Sequence, residues 1–138
     1  MSNTEGKEKV IVVEDSPPNR KILVHLLEKL EYEVESFEDG QQAWDHLKNN
    51  DNPGLVAIIS DIMMPNMDGV QLLKHIRESD KFKDLPFVLV TAVSDRDYIV
   101  EAKSLNVNGY ILKPVTFQRV ANKLKGLFPD RNFPKLAS

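Results

Sequence analysis

A regular alternation between short apolar runs and helical stripes constrains this chain more than any other feature. Residues 9–13 form a short run in which four β-branched apolar side chains follow Lys9, and the run stops at the acidic pair Glu14–Asp15. A buried strand ends in this way where it meets a charged loop. Ser16 then precedes residues 17–30, in which proline occupies the first turn and apolar side chains recur on one helical face. This part of the chain therefore predicts a strand followed by a helix.

The same alternation repeats along the rest of the sequence. The other predicted strands cover residues 33–37, 55–59, 87–90 and 110–112, and the other predicted helices cover residues 40–48, 70–78, 95–105 and 116–127. Strands that are apolar throughout are buried on both faces, which is typical of a parallel sheet with helices on either side. The pattern predicts a single doubly wound α/β domain with a five-stranded parallel sheet and five flanking helices.

Length and composition agree with one globular unit. The chain has 138 residues and a mass of 15.7 kDa, with 41% hydrophobic and 28% charged residues, which suits one domain with a sizeable core. We expect a flexible leader at residues 1–8, the domain at 9–128 and a short C-terminal tail at 129–138. The absence of cysteine excludes disulfides, thiolate metal sites and a cysteine nucleophile.

Charge and hydropathy narrow the class of partner. A formal net charge of -3 and a pI near 5.6 argue against binding to nucleic acid or anionic membrane through net charge. No apolar run approaches the roughly 18 residues that a membrane-spanning helix needs. We expect a cytoplasmic, monomeric protein that binds neither nucleic acid directly nor a membrane.

Charged and hydroxyl side chains end four of the predicted strands. They are Glu14, Asp15, Asp61, Thr91 and Lys113. The carboxyl ends of parallel strands meet at one edge of the sheet, where doubly wound folds bind ligands, so we expect these side chains to be neighbours. Three clustered carboxylates require a cation, and a small set of hard oxygen ligands suits Mg²⁺.

These five groups share a possible chemistry. With the metal bound, Asp61 can attack a phosphoryl group as a nucleophile, while Mg²⁺ and Lys113 offset the charge on the phosphoryl oxygens and Thr91 donates a hydrogen bond. A single Asp or Lys at a strand end is common, because such ends meet water. Five such residues at the carboxyl ends of four strands favour a phosphoryl-transfer site.

Four separated segments strengthen this interpretation. VVEDS, ISDIMMPNMDG, LVTAV and GYILKP occur in this order. Together they resemble the receiver domain of two-component response regulators, in particular its stand-alone chemotaxis members, over roughly residues 8–128. The resemblance implies the flavodoxin-like fold with strand order 2-1-3-4-5. It also implies a cis peptide bond between Lys113 and Pro114.

The resemblance assigns roles to the acidic residues. It makes Asp61 the phosphoacceptor and a metal ligand, Asp15 a direct ligand of one Mg²⁺, and Glu14 a ligand through water. The backbone carbonyl of Met63 is implied to complete the metal shell. Met63 and Val93 are also apolar at two positions beside the site, where a polar side chain would help to orient an attacking water.

The resemblance also implies a switch. Thr91 and Lys113 match the hydroxyl and the ammonium that bind the phosphoryl group. Tyr110 matches an aromatic residue whose ring turns inward when the threonine moves toward that group. The signal would then reach the surface formed by the fourth helix, the fifth strand and the fifth helix.

Charge distribution suggests the partner for that surface. Residues 28–51 have a net charge of -6, and residues 113–138 have a net charge of +5. Either these are ordinary solvated faces, or the last helix meets an acidic partner that complementary charge steers into place. The candidate contact residues are Tyr98, Ile99, Tyr110, Arg119 and Lys123.

We interpret the chain as a phosphorylation-controlled receiver. It would take a phosphoryl group onto Asp61 from a phosphohistidine of a sensor kinase or phosphotransfer protein. No output domain follows residue 128 in this sequence, so we expect signalling by reversible binding to a downstream protein. Such a protein promotes its own phosphorylation and dephosphorylation but does not turn over an external substrate.

Three alternatives compete with this interpretation. The chain could be a receiver fragment of a larger DNA-binding regulator or hybrid kinase, or a pseudo-receiver that works without phosphorylation. It could also be a haloacid-dehalogenase-like Mg²⁺-dependent phosphatase. That family places a second Asp two residues after the nucleophile, where this chain has Met63, so the phosphatase is disfavoured.

Overall fold

Strand and helix alternate strictly through residues 8–92, 94–131 and 133, which are the residues that the computed structural model describes. The strands are β1 Lys9–Val13, β2 Glu33–Phe37, β3 Leu55–Asp61, β4 Phe87–Thr91 and β5 Gly109–Leu112. The helices are α1 Pro17–Lys29, α2 Gly40–Asn49, α3 Gly69–Glu78, α4 Arg96–Ser104 and α5 Phe117–Leu127. All the predicted elements are present, and their ends lie within two residues of the predicted positions.

The five strands form one parallel sheet in the order β2-β1-β3-β4-β5. β1 pairs with β2 and with β3, so that Val13 lies beside Phe37 on one side and Ser60 on the other. β4 continues the sheet from β3 to β5. The strand order that the family resemblance implies is confirmed. Because every strand runs the same way, all the carboxyl ends lie at one edge.

β3 extends two residues beyond the strand that its apolar run predicts. The apolar run ends at Ile59, but the backbones of Ser60 and Asp61 continue the ladder beside Leu89 and Val90 of β4. Backbone pairing does not depend on an apolar side chain, so a polar residue can belong to a buried strand. Asp61 is therefore held by the sheet and not by a loop.

Two hydrophobic layers cover the faces of the sheet. Ile11 and Val13 belong to the layer that α2, α3 and α4 complete. Val10 and Val12 belong to the layer that α1 and α5 complete. Side chains alternate between the two faces of a strand, and both faces are buried here, which explains the uninterrupted apolar runs. Within the described residues, no helix is long and apolar enough to cross a membrane.

Arg131, in the expected C-terminal tail, packs against the domain. Its guanidinium donates to the carboxylate of Glu8 and to the backbone carbonyl oxygens of Leu30 and Glu31. The same group lies 3.9 Å from the centre of the Tyr32 ring. These contacts join the segment after α5 to the amino ends of β1 and β2, at the edge of the sheet opposite the acidic residues.

Arg131→Ala should lower the free energy of unfolding by about 1–3 kcal/mol, because it removes charge-assisted hydrogen bonds and a cation–π contact. Lys125→Ala removes the same charge from an exposed position near the end of α5, and it should change the free energy by less than about 0.5 kcal/mol. Urea denaturation of both variants measures the difference. Equal losses in the two variants would contradict the assigned role of Arg131.

Candidate phosphoryl-transfer site

The crevice at the carboxyl ends of β1 and β3 is the point where the strand order reverses. The chain leaves β1 for β2 on one side and returns to β3 on the other. Glu14 and Asp15 directly follow β1, and Asp61 is the last residue of β3. One carboxylate oxygen from each lies within 4.8 Å of the others. The three acids expected to be neighbours are therefore clustered at the topological switch point, where doubly wound sheets bind ligands.

Asp61 occupies the buried centre of this edge, with 5% of its surface exposed. Its Oδ1 accepts a hydrogen bond from the backbone N–H of Ile62 at 2.8 Å. The Lys113 Nζ lies 3.2 Å from Oδ1 and 3.3 Å from Oδ2. An ammonium this close offsets part of the carboxylate's negative charge. The structure thus places the predicted nucleophile beside the predicted phosphoryl-binding cation.

Glu14 is buried beside Asp61, with 1% of its surface exposed. Burial raises the pKa of the Glu14 carboxyl to about 7; the Ser16 N–H, which donates to Oε2, opposes this rise, and the negative charge of Asp61 adds to it. The Arg20 Nη1 donates to the backbone carbonyl of Glu14 at 2.8 Å and fixes the turn between β1 and α1. The acidic group is thus held in place although its members repel one another.

The donor set fits a small divalent cation. Glu14 and Asp61 are buried, whereas Asp15 is exposed to solvent, so the cluster offers carboxylate oxygens on one side and access for water on the other. Mg²⁺ prefers such a set, because it retains several waters and takes only one or two carboxylates directly. Met63 lies two residues after Asp61 and is 54% exposed. Because Mg²⁺ takes hard oxygen ligands and not a soft thioether, the backbone carbonyl of Met63 is the candidate ligand.

The segment after β3 folds back onto Asp61. The N–H of Gly69 donates to the carbonyl of Ile62 at 2.8 Å, and a Cβ at position 69 would lie 2.1 Å from the backbone oxygen of Asp61. Asp68 accepts a hydrogen bond from the backbone N–H of Gln71, whose side-chain oxygen accepts from the N–H of Asp68. This capping box fixes the start of α3. Glycine is required at position 69 by this close approach.

Thr91 ends β4 and is buried, but its hydroxyl already has acceptors. Its Oγ1 donates toward the Ala92 carbonyl at 3.1 Å and toward the Oδ2 of Asp95 at 3.3 Å. The backbone N–H of Lys113 donates to the Thr91 carbonyl at 2.8 Å, which ties the ends of β4 and β5 together. Asp95 received no role from the sequence, because an Asp four residues after a Thr is an unspecific pattern.

Tyr110 lies on β5 beside Leu89 of β4. Its ring is partly buried against the core, its hydroxyl donates to the backbone carbonyl of Ile99 at 3.4 Å, and burial raises the pKa of that hydroxyl. Both residues of the predicted switch therefore contact α4 or the loop that precedes it. The peptide bond between Lys113 and Pro114 is cis, as the family resemblance implies.

In the predicted partner face, the two candidate residues of α4 are less exposed than their neighbour Val100. Tyr98 and Ile99 are only partly exposed, and Tyr98 packs against the core. Val100 is 70% exposed and Leu112 is 43% exposed. The register of α4 explains the difference, because a helix that buries Ala102 directs residue 98 to the same side and residue 100 away from it.

The two basic candidates on α5 are also partly engaged. Arg119 is exposed, and its Nη1 donates to the carbonyl oxygens of Leu112 and Pro114 at 2.8 and 2.9 Å. Lys123 is half-buried with its side chain against Gly109. Both cations thus help to fix β5 and the turn that follows it, besides charging the surface.

The histidines of α2 and α3 lie outside the acidic cluster. His46 lies 3.2 Å from a carboxylate oxygen of Glu35, and His75 stacks on Trp44. Neither belongs to the cluster of potential metal ligands. Val93, expected beside the site, lies outside the described residues.

Mg²⁺ should stabilise the folded protein through the acidic cluster. A Mg²⁺ concentration ten times its Kd should raise the free energy of unfolding by about 1.4 kcal/mol, provided that the unfolded chain does not bind the ion. Asp15→Asn should remove the Mg²⁺-dependent rise in melting temperature. It should also raise the melting temperature without metal, because one repelling charge is lost.

Thermal melts with and without Mg²⁺ measure both effects. Asp51→Asn is the matched control, because it removes an exposed charge between α2 and β3. A Mg²⁺ shift in Asp15→Asn as large as that in the wild type would show that the ion binds elsewhere.

Gly69→Ala should destabilise the protein by about 1–3 kcal/mol, because the new methyl group must displace the backbone of Asp61. Gly126→Ala serves as the control: a Cβ at position 126 in α5 meets no atom within 4 Å. That change should stabilise the helix by about 0.5–1 kcal/mol. Denaturant titrations of the two variants should move in opposite directions, and a neutral Gly69→Ala would refute the close packing of this loop.

Comparison with known proteins agrees with this geometry. Residues 10–125 match the family described as the response regulator receiver domain. The chain is 36% identical over 121 residues to chemotaxis protein CheY-3 of Vibrio cholerae, covering 87% of this chain and 91% of that protein.

Two solved structures are similar along most of their length. The chemotaxis response regulator CheY4 of Vibrio cholerae has a TM-score of 0.78 at 28% identity, over 88% of this chain and 98% of that one. The signal receiver domain of a histidine kinase from Syntrophus aciditrophicus has the same TM-score and identity, over 95% of this chain and 99% of that one. The match places the chain with receivers and not with the haloacid-dehalogenase phosphatases. With its parallel sheet in receiver order and an acidic cluster at the switch point, the chain belongs to the response regulator receiver domain family, of the CheY type.

Proposed function

We propose that this receiver is phosphorylated on Asp61 by a phosphohistidine of a sensor kinase or phosphotransfer protein. The contact between Lys113 and the buried Asp61 carboxylate is the observation that supports the proposal most strongly. Asp61 thus lies within reach of a cation, and two further acids lie close to it. Membership of the receiver family, which implies phosphorylation-dependent signalling, supports the same function.

The transfer would be a direct displacement at phosphorus. A carboxylate oxygen of Asp61 forms the new P–O bond while the P–N bond of the phosphohistidine breaks, and the electron pair of that bond remains on the leaving imidazole nitrogen. The ammonium of Lys113, now 3.2 Å from the Asp61 carboxylate, would follow the negative charge onto a phosphoryl oxygen. The N–H of Ile62 holds the attacking carboxylate in orientation.

The acidic residues would hold one Mg²⁺. Asp15 and Asp61 are the proposed direct carboxylate ligands, Glu14 acts through water, and the backbone carbonyl of Met63 completes the protein part of the shell. When bound, the ion supplies positive charge that offsets the acidic cluster and the transferring phosphoryl group. Arg20 and Ser16 keep Glu14 oriented throughout, through the hydrogen bonds described above.

Signalling would proceed through Thr91 and Tyr110 to the face formed by α4, β5 and α5. Phosphorylation favours the arrangement in which the Thr91 hydroxyl donates to a phosphoryl oxygen, and the ring of Tyr110 then moves inward. The surface at Tyr98, Ile99, Tyr110, Arg119 and Lys123 would change for a downstream protein partner. Val100 of α4 and Leu112 of β5 are exposed apolar side chains on the elements that form this face.

We propose a domain of residues 9–128 that acts as a monomer in the cytoplasm, with protein partners only. It promotes its own phosphorylation and dephosphorylation without turning over an external substrate. The similarity to a histidine kinase receiver domain supports one alternative, in which this chain is the receiver of a larger kinase.

A small phosphodonor tests the acceptor residue. Acetyl phosphate with Mg²⁺ should add one phosphoryl group to the protein, because the cations that stabilise the transfer belong to the receiver itself. Intact-mass spectrometry should show the adduct in the wild type and in Asp51→Asn, but not in Asp61→Asn or without Mg²⁺. Equal modification of Asp61→Asn would assign the phosphoryl group to another residue.

A further inference from the structure

The carboxylate of Asp95 contacts Thr91, one of the two residues of the predicted switch. Its Oδ2 accepts a hydrogen bond from the backbone N–H of Ala92 at 2.8 Å and lies 3.3 Å from the Thr91 hydroxyl oxygen. The Asp95 N–H donates to the Ala92 carbonyl at 3.0 Å, so the two residues are bonded in both directions. Asp95 thus joins the start of α4 to the end of β4 through Thr91 and Ala92.

Asp95 is also the residue that precedes α4, yet its side chain does not cap the helix. The side chains of Asp39, Asp68 and Thr116 each accept an N–H from the first turn of α2, α3 and α5. Asp95 makes no such bond, and its backbone, at φ −90° and ψ 28°, is not in the extended conformation of those caps. Aspartate is a favoured capping residue, but the Asp95 side chain bonds to Thr91 and Ala92 and not to the first turn of α4.

The chemistry of the hydroxyl makes this contact exclusive. A threonine has one hydroxyl hydrogen, so it cannot donate fully to Asp95 and to a phosphoryl oxygen on Asp61 at the same time. When the hydroxyl turns to the phosphoryl group, the Asp95 carboxylate can accept from the first turn of α4, which leaves it satisfied in both arrangements. Ala102 is the one buried residue of α4 and Tyr98 packs against the core only in part, so little burial opposes a small shift of the helix.

We propose that Asp95 is a positioning residue that holds the Thr91 hydroxyl in the resting arrangement and so sets how readily Asp61 chemistry is coupled to α4. The inference rests on the proposed function, because it assumes that Thr91 donates to a group on Asp61. It adds a residue that the predicted switch of Thr91 and Tyr110 does not include. Its consequence is quantitative: loss of the carboxylate favours the phosphoryl-bound arrangement before any phosphoryl group arrives.

Beryllofluoride with Mg²⁺, a mimic of the phosphoryl group, is the probe. Asp95→Ala should lower the apparent Kd for beryllofluoride by roughly 2- to 12-fold, the range of one net hydrogen bond. The lower part of that range is expected, because the Ala92 carbonyl remains as an acceptor for Thr91. Asp95→Asn, which keeps an acceptor oxygen, should fall between Asp95→Ala and the wild type.

Asp97→Ala is the matched control. Asp97 is an exposed acid in the first turn of the same helix, two residues further on. Asp97→Ala removes one negative charge near α4, as Asp95→Ala does, but it leaves the contacts of Thr91 intact. The affinity of Asp97→Ala for beryllofluoride should therefore equal that of the wild type. Amide NMR titrations of all variants give the affinities, and the unliganded spectra confirm folding.

A double-mutant cycle with Thr91→Ala completes the test. In the Thr91→Ala background, Asp95→Ala should change the affinity by less than about 1.5-fold, because the shared hydrogen bond is already absent. Unchanged or weaker binding in Asp95→Ala, an equal gain in Asp97→Ala, or an equal gain with and without the Thr91 hydroxyl would each overturn the role of Asp95. No binding by the wild type would instead overturn the proposed function.

Discussion

Like-charge repulsion among Glu14, Asp15 and Asp61 is the constraint on which the rest of the site depends. Two unit charges 4 Å apart interact by about 4 kcal/mol at the effective dielectric of a partly exposed site. The chain tolerates this because β1 and β3, which end in these acids, lie in the middle of the sheet and are covered on both faces. Burial of the two strands offsets the cost of bringing their charged ends together.

The same constraint explains the groups that surround the acids. Lys113 approaches Asp61 from the end of β5, and Arg20 fixes the backbone of Glu14 from α1. Gly69 lets the start of α3 pack directly on the Asp61 backbone. Each group limits how far the acids can move apart. A site preorganised in this way needs only a cation to become favourable to a phosphoryl group.

The sequence predicted the sheet and the acidic cluster because both follow from periodic signals. Apolar strands and amphipathic helices repeat, and Glu14, Asp15 and Asp61 each follow or end such a strand. The extra length of β3 was not predicted, since backbone pairing of Asp61 leaves no trace in side-chain hydropathy. The strand order came from the family resemblance, because alternation alone does not determine which strands are neighbours.

Side-chain partners were the least predictable part. The contact between Asp95 and Thr91 depends on the backbone angles of one residue, and the packing of Arg131 joins segments more than 100 residues apart in sequence. Neither has a local pattern. The relative exposure of Tyr98 and Val100 depends on the rotation of α4 about its axis, and the sequence gives little sign of that rotation because Ala102 is the one buried residue of the helix.

The crystal structure of the protein with Mg²⁺ and beryllofluoride tests the central claim most directly, namely that the clustered acids are a preorganised cation and phosphoryl site. We predict one Mg²⁺ in direct contact with Asp15 and Asp61 at about 2.0–2.1 Å, the usual distance for this ion. Beryllium should be bonded to Asp61, with the Lys113 Nζ on a fluorine. A beryllofluoride group on another carboxylate, or a bound Mg²⁺ that contacts neither Asp15 nor Asp61, would contradict it.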